Sequence, residues 1–172
     1  ALMNLEAGKK ARQSAAFSAA LSYFDAGIHL IGADAWQTQY AIAYDLYVET
    51  MQCLYFTGKY NEADALFKTI LKNVAVNMDR ALPSLIRVEM YSRIDNPLEA
   101  FNTAISALKS LGFKLPRKAT PLHVIAQLLK NAWMMRGKDI AHLDETLHRS
   151  QDPRIIWISK LLNSLIPPAY FL

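Results

Sequence analysis

The stretch Met51–Phe67, MQCLYFTGKYNEADALF, decides the fold. Its first half carries Met51 and Leu54 at helical spacing, and Thr57-Gly58-Lys59 then interrupts the pattern. A glycine is the usual residue just past a helix end, because it accepts a left-handed backbone without steric cost. A second helical stripe follows at once in Ala63, Leu66, Phe67, Ile70, Leu71 and Val74. A break this short between two amphipathic helices makes them antiparallel neighbours. The small Ala63 lets the second helix approach the first, and the aromatic Phe67 one turn later fills the groove beside it. The unit reads Gly58-x-Tyr60-x-x-Ala63-x-x-x-Phe67.

The same spacing recurs on either side. Ala20 is followed four residues later by Phe24, and Ala100 by Ala104. The three alanines are 43 and 37 residues apart, and Asp95 stands before Ala100 where Gly58 stands before Ala63. Around these anchors the periodicity predicts helices from about Ser14 to Ile31, from Asp34 or Ala35 to Phe56, over Asn61–Val76, Leu82–Ile94 and Leu98–Leu111. Pro83 is tolerable in the fourth only within its first turn. No segment alternates with period two, so no sheet is expected. The fold class is therefore all-α. Antiparallel helix pairs of this kind cannot cover their own apolar faces and stack on one another. The pattern resembles tetratricopeptide-like repeats, which implies a right-handed superhelix, with Ala20, Phe24, Gly58, Tyr60, Ala63, Phe67, Ala100 and Ala104 as the repeat-packing positions.

Two regions follow: helical repeats over 1–112, and additional helices over 113–172 packed on the array or continuing it. The second region is expected to hold helices near Pro121–Met135, Ile140–His148 and Pro153–Leu165, with Thr120-Pro121 and Asp152-Pro153 as starts. Charge divides along the same line. Residues 1–112 carry 10 basic and 11 acidic side chains, and residues 113–172 carry 9 and 4. The basic half reads as a solvated helical face. The competing reading is a nucleic-acid-associated regulatory module using residues 113–160.

No motif for chemistry stands out. The four histidines have no ligand spacing, the single cysteine Cys53 has no histidine beside it in sequence, and neither GxxxxGK[ST] nor GxGxxG occurs. No metal, no cofactor and no catalytic residue is expected. Cys53, between Met51 and Leu54, reads as a small core residue. Tyr40, Tyr44 and Tyr47 share one helical stripe, and two readings stay open for them, interhelix core and a peptide groove with aromatic anchors. A lone cysteine fits the cytoplasm, and no apolar run reaches the length of a membrane span. The beginning ALMNLEAGKKAR and the ending PPAYFL read as the cut ends of a piece of a longer protein.

The stretch Leu5–Trp36, LEAGKKARQSAAFSAALSYFDAGIHLIGADAW, resembles the helical repeat region of large bacterial multidomain signalling proteins. So do Tyr55-Phe56-Thr57-Gly58 leading into Asn61-Glu62-Ala63, Leu98–Gly112, Phe113–Pro116 and the ending LNSLIPPAYFL from Leu162. Such proteins join a serine/threonine kinase-like domain and an AAA-type ATPase to tetratricopeptide-like repeats, often followed by GAF and histidine kinase domains. The resemblance implies a non-catalytic scaffold for protein–protein or interdomain contacts in a cytoplasmic signal transducer, its partners being other domains of the same chain or a signalling protein. No membrane partner is expected, and nucleic acid is the less favoured reading. Where the family usually has a glycine before Leu98-Glu99-Ala100, this chain has Asp95-Asn96-Pro97.

Overall fold

The computed structural model describes residues 1–115 and 151–170, and among these every regular element is a helix. In chain order they are α1 (Leu2–Gln13), α2 (Phe17–Ile31), the single turn α3 (Ala35–Thr38), α4 (Tyr40–Phe56), α5 (Tyr60–Asn73), a 3-10 turn Asn77–Arg80 that runs into α6 (Ala81–Arg93), α7 (Pro97–Ser110) and α8 (Pro153–Tyr170). The helices expected near Pro121–Met135 and Ile140–His148 lie outside the described residues.

Each helix packs on its sequence neighbour, and contacts along their lengths fix the directions. A methyl added at Gly8 would strike Phe24, and one added at Gly27 would approach Asn4, so α1 and α2 are antiparallel. Lys9 Nζ meets Asp45 Oδ2 at 2.9 Å and Arg12 Nε meets Glu49 Oε2 at 2.5 Å, so α1 and α4 run parallel. Asp79, just ahead of α6, receives hydrogen bonds from Tyr40 and Tyr44 at the start of α4, while Arg93 at the end of α6 donates to Tyr55 near the end of α4. Therefore α4 and α6 are parallel as well. The start of α8 returns to the end of α7, where Arg154 Nε donates to the Leu111 carbonyl at 2.6 Å. From there α8 packs along both α7 and α6.

The same positions recur in the core. Counted from Ala20, Ala63 and Ala100, the residues twelve before (Gly8, Met51, Val88), four after (Phe24, Phe67, Ala104), seven after (Gly27, Ile70, Ala107) and eleven after (Ile31, Val74, Leu111) are buried in all three copies. Ala104 is small where its counterparts are phenylalanine. It joins Ala100, Ala107 and Leu108 in a cluster that Leu161 and Leu165 of α8 complete.

The turns recur too. Five residues before each alanine, Ala15, Gly58 and Asp95 adopt φ of 57°, 75° and 56°. The residue after each donates to a carbonyl five residues back: Ala16 to Ala11, Lys59 to Leu54, Asn96 to Tyr91. This is the six-to-one bond of a Schellman ending. Asp95 thus makes the same turn as Gly58, and Asn96 adds a cap, its Oδ1 accepting from the Glu99 N–H at 3.3 Å. The left-handed region costs a side-chain-bearing residue about 1–2 kcal/mol. Nothing lies within 4 Å of a Cβ built at Gly58. Gly58→Ala should therefore lose about 1 kcal/mol from backbone strain alone, and Ala15→Gly should recover a similar amount, both read from thermal unfolding. A neutral Gly58→Ala would show that the turn relaxes.

Three local expectations are corrected. The helix expected to begin near Ser14 starts three residues later, at Phe17, and a separate helix, α1, precedes it, because Ala15 closes α1 in a left-handed turn. The helix expected from Asp34 or Ala35 to Phe56 breaks at Gln39, whose φ of −138° and ψ of 45° are not helical. The last helix does not stop at Leu165 but continues through Pro167 and Pro168. Both prolines lie inside the helix, where each removes a backbone donor and crowds the carbonyl four residues back. Pro168 is buried there, so its ring adds packing. Pro83 is the third residue of α6, within the first turn.

Candidate functional site

The parallel helices α4 and α6 present an aromatic edge where the tyrosine stripe was read. Tyr40 and Tyr44 stack with ring centroids 6.2 Å apart. The Tyr40 hydroxyl donates to Asp79 Oδ2 at 2.5 Å, and the Tyr44 hydroxyl donates to the Asp79 carbonyl at 2.9 Å. Both phenols are pushed above their ordinary range by burial first and by the Asp79 carboxylate second. Their polar ends are consumed in tying α4 to the turn ahead of α6. Tyr47 differs. It packs on Trp36 at 5.1 Å and lines a groove of about 680 Å³ whose walls are α2 and α5. Leu21 and Ile28 come from α2, Leu54 joins Tyr47 from α4, and Leu66 comes from α5, with Asp25, Lys59 and Glu62 at the margins. Of the three tyrosines, only Tyr47 belongs to this groove.

A second groove, of about 660 Å³, lies between α6 and α8. Leu85, Val88 and Glu89 line one side, Lys160, Asn163 and Ser164 the other, and Tyr55 with Arg93 one end. Arg93 is held over the Tyr55 ring at 5.5 Å, and Lys160 over Trp157 at 4.6 Å.

A partly buried electrostatic network joins α5, α6 and α7. Arg87 of α6 donates from Nε to Asp64 Oδ1 of α5 at 2.7 Å, from Nη1 to Thr103 Oγ1 of α7, and from Nη2 toward Glu99 Oε2 at 3.4 Å. Its guanidinium lies 4.7 Å from the ring centroids of both Phe67 and Tyr91. Tyr91 donates to Asp64 at 3.1 Å, and Lys68 reaches the other carboxylate oxygen at 2.9 Å. Burial would raise the Asp64 carboxyl, yet the bonds from Lys68, Arg87 and Tyr91 together hold it below its ordinary value. This network binds three helices together. Nothing in the sequence pattern singled out Arg87, because an arginine on an amphipathic helix is ordinarily solvated.

The repeat-packing positions fall into two groups. Ala20, Phe24, Ala63, Phe67, Ala100 and Ala104 are buried, whereas Gly58 is an exposed turn and Tyr60 a half-buried neighbour of Tyr55, 6.4 Å away. Gly8 escaped the sequence reading. Its signal was its place twelve residues before Ala20, matching Met51 and Val88.

Reactive groups are muted. Cys53 is fully buried and its thiol is pushed up to about 11, by burial first and by Glu49 second. Among the described residues no group of three or more His, Cys, Asp or Glu gathers in a metal-holding arrangement, and no helix is long and apolar enough to cross a membrane. Most of the basic segment 113–160 lies outside the described residues. Of its described cations, Arg154 is turned onto the end of α7. Scanned against protein-family models the chain finds no match, and neither curated proteins nor solved structures include one that matches it.

Proposed function

We propose that this chain is a non-catalytic scaffold of tetratricopeptide-like helix pairs, stacked as a right-handed superhelix and holding protein partners or neighbouring domains of a bacterial signal-transduction ATPase or kinase. The observation that carries the reading is the threefold recurrence of one buried set and one left-handed turn around Ala20, Ala63 and Ala100. A unit repeated this way is a device for building surface, since each pair adds a rib and its grooves to the last. Parallel α1, α4 and α6, with α2, α5 and α7 returning between them, are the order that stacking requires. The groove between α2 and α5 offers an apolar floor with a polar margin, the anatomy of a protein contact. The signalling context rests on the sequence resemblance alone.

The test places a photoactivatable phenylalanine analogue at Tyr47, in the purified full-length protein. A second copy carries it at Tyr23, an exposed ring outside the groove. The scaffold reading expects Tyr47 to yield a defined adduct with another domain of the protein or with its partner subunit, mapped by peptide mass spectrometry. Tyr23 should yield none. Equal, diffuse labelling from both positions would remove the groove from the proposal.

A further inference from the structure

We propose that a pocket between α6 and α7 binds a phosphate group, as the free anion or as a small monoester. The pocket encloses about 170 Å³, with α5 behind it. That is roughly the room of five waters, the scale of a tetrahedral oxyanion with part of its hydration. Its polar lining includes Arg80 and Ser84 at the start of α6, Asn102 and Ser106 one turn apart on α7, and Arg87; Thr103 and Ser110 also line it, but their hydroxyls already donate to the Glu99 and Ala107 carbonyls. No carboxylate lines it.

Two of these groups are unspent. Ser84 is only 3% exposed, lines the pocket, and its hydroxyl has no hydrogen-bond partner among the described residues. Because no fully buried side-chain polar atom among the described residues lacks a partner, the Ser84 hydroxyl keeps its accessible surface where it lines the pocket, and it is free to donate to an occupant there. Arg80 also lines the pocket, and its guanidinium makes no ion pair or hydrogen bond with a described residue. Arg87 contributes little net charge, because Asp64 and Glu99 already neutralise it from behind. Arg80 is thus the charge and Ser84 the buried hook, while Asn102 and Ser106 offer donors from the opposite helix. Donors converging from two helices suit a tetrahedral acceptor better than a planar carboxylate. The inference is independent of the scaffold reading, since the pocket lies apart from the groove that holds Tyr47.

The test titrates the whole chain with inorganic phosphate at constant ionic strength, with chloride as the matched control, by calorimetry and by amide chemical shifts. Saturable phosphate binding is expected, with shifts concentrated at Ser84, Asn102 and Ser106. Arg80→Gln and Ser84→Ala should each weaken it about tenfold, the size of one lost bond to an anion. Neither variant removes an intramolecular partner, so both should melt like the parent without phosphate. Should either fail to fold, Ser106→Ala, at an exposed position, supplies the same comparison. O-phosphoserine as a second ligand separates the two sources: binding matched to inorganic phosphate assigns the pocket to monoesters, and exclusion assigns it to the free anion. Phosphate heat no greater than that of chloride, or unchanged affinity in both Arg80→Gln and Ser84→Ala, overturns the proposal.

Discussion

Arg87→Ala should lower the unfolding free energy by about 1.5–3 kcal/mol, the range for losing a hydrogen bond to a charged group, since the pair with Asp64 is only partly buried and Lys68 still holds the carboxylate. Three losses combine. Asp64, 15% exposed at its side chain, keeps its charge but loses its shortest partner, at 2.7 Å. Thr103 loses a donor, and the Phe67 and Tyr91 rings lose the cation between them. Glu99 adds little, since it is 44% exposed and only 3.4 Å from the guanidinium, and solvent screens such a pair. Arg87→Lys should recover only part of the loss, because an ammonium cannot fork between α5 and α7. Arg87→Met combined with Asp64→Leu should recover more than Arg87→Met alone, since no charge is then left buried. A loss below about 1 kcal/mol in Arg87→Ala would mean that the helices are held by apolar packing and that the network is incidental.

The same network sets a pH dependence. Asp64 is held below its ordinary carboxyl value in the folded chain, so the unfolded chain binds more protons as pH falls. The stability it contributes is complete above the unfolded carboxyl value near about pH 4, and is lost as pH drops through the lower folded value. Asp64→Asn should flatten the acid limb of the stability curve in that window and leave its slope near neutrality unchanged. An unchanged acid limb would remove Asp64 from the account.

Much of this architecture was legible because the same physical demand is met by the same residue type in successive copies. A helix that must approach closely needs a small side chain, and Ala20, Ala63 and Ala100 announce it. What stayed hidden was settled by tertiary contact. α1, LMNLEAGKKARQ, buries only Leu5 and Gly8, too few apolar positions to set a stripe. Its closing turn, Ser-Ala-Ala, contains no residue that favours one, and Ala15 is left-handed because α2 must return along α1. The break at Gln39 likewise carries neither glycine nor proline. Arg87 was invisible for another reason. Periodicity separates apolar faces from polar ones, but it cannot tell a solvated arginine from one roofed by two aromatic rings. The pocket beside it was invisible for the same cause, since a serine such as Ser84 reads as surface until tertiary packing buries it.

Phe24→Ala should cost about 3–5 kcal/mol, the range for deleting a fully buried phenylalanine. The ring is 0% exposed and packs on Gly8, so it joins the first helix pair. Gly8→Ala tests the same contact from the other side. In an isolated helix that change gains about 1 kcal/mol. Here the new methyl would stand 2.3 Å from the Phe24 ring, in a cluster with no slack, and the overpacking cost of about 1–3 kcal/mol exceeds the gain. The two changes should therefore not add. With Phe24 reduced to alanine, the methyl at position 8 enters space the ring vacated, and its propensity gain returns. The double variant should be about as stable as Phe24→Ala alone, or slightly more so. Measured by urea unfolding, the interaction term should favour the pair by about 1–3 kcal/mol. Strict additivity would mean that α1 moves away to accept the methyl. The close approach of α1 and α2 would then be a matter of packing convenience rather than the geometric constraint that Gly8, Ala20 and Phe24 impose together.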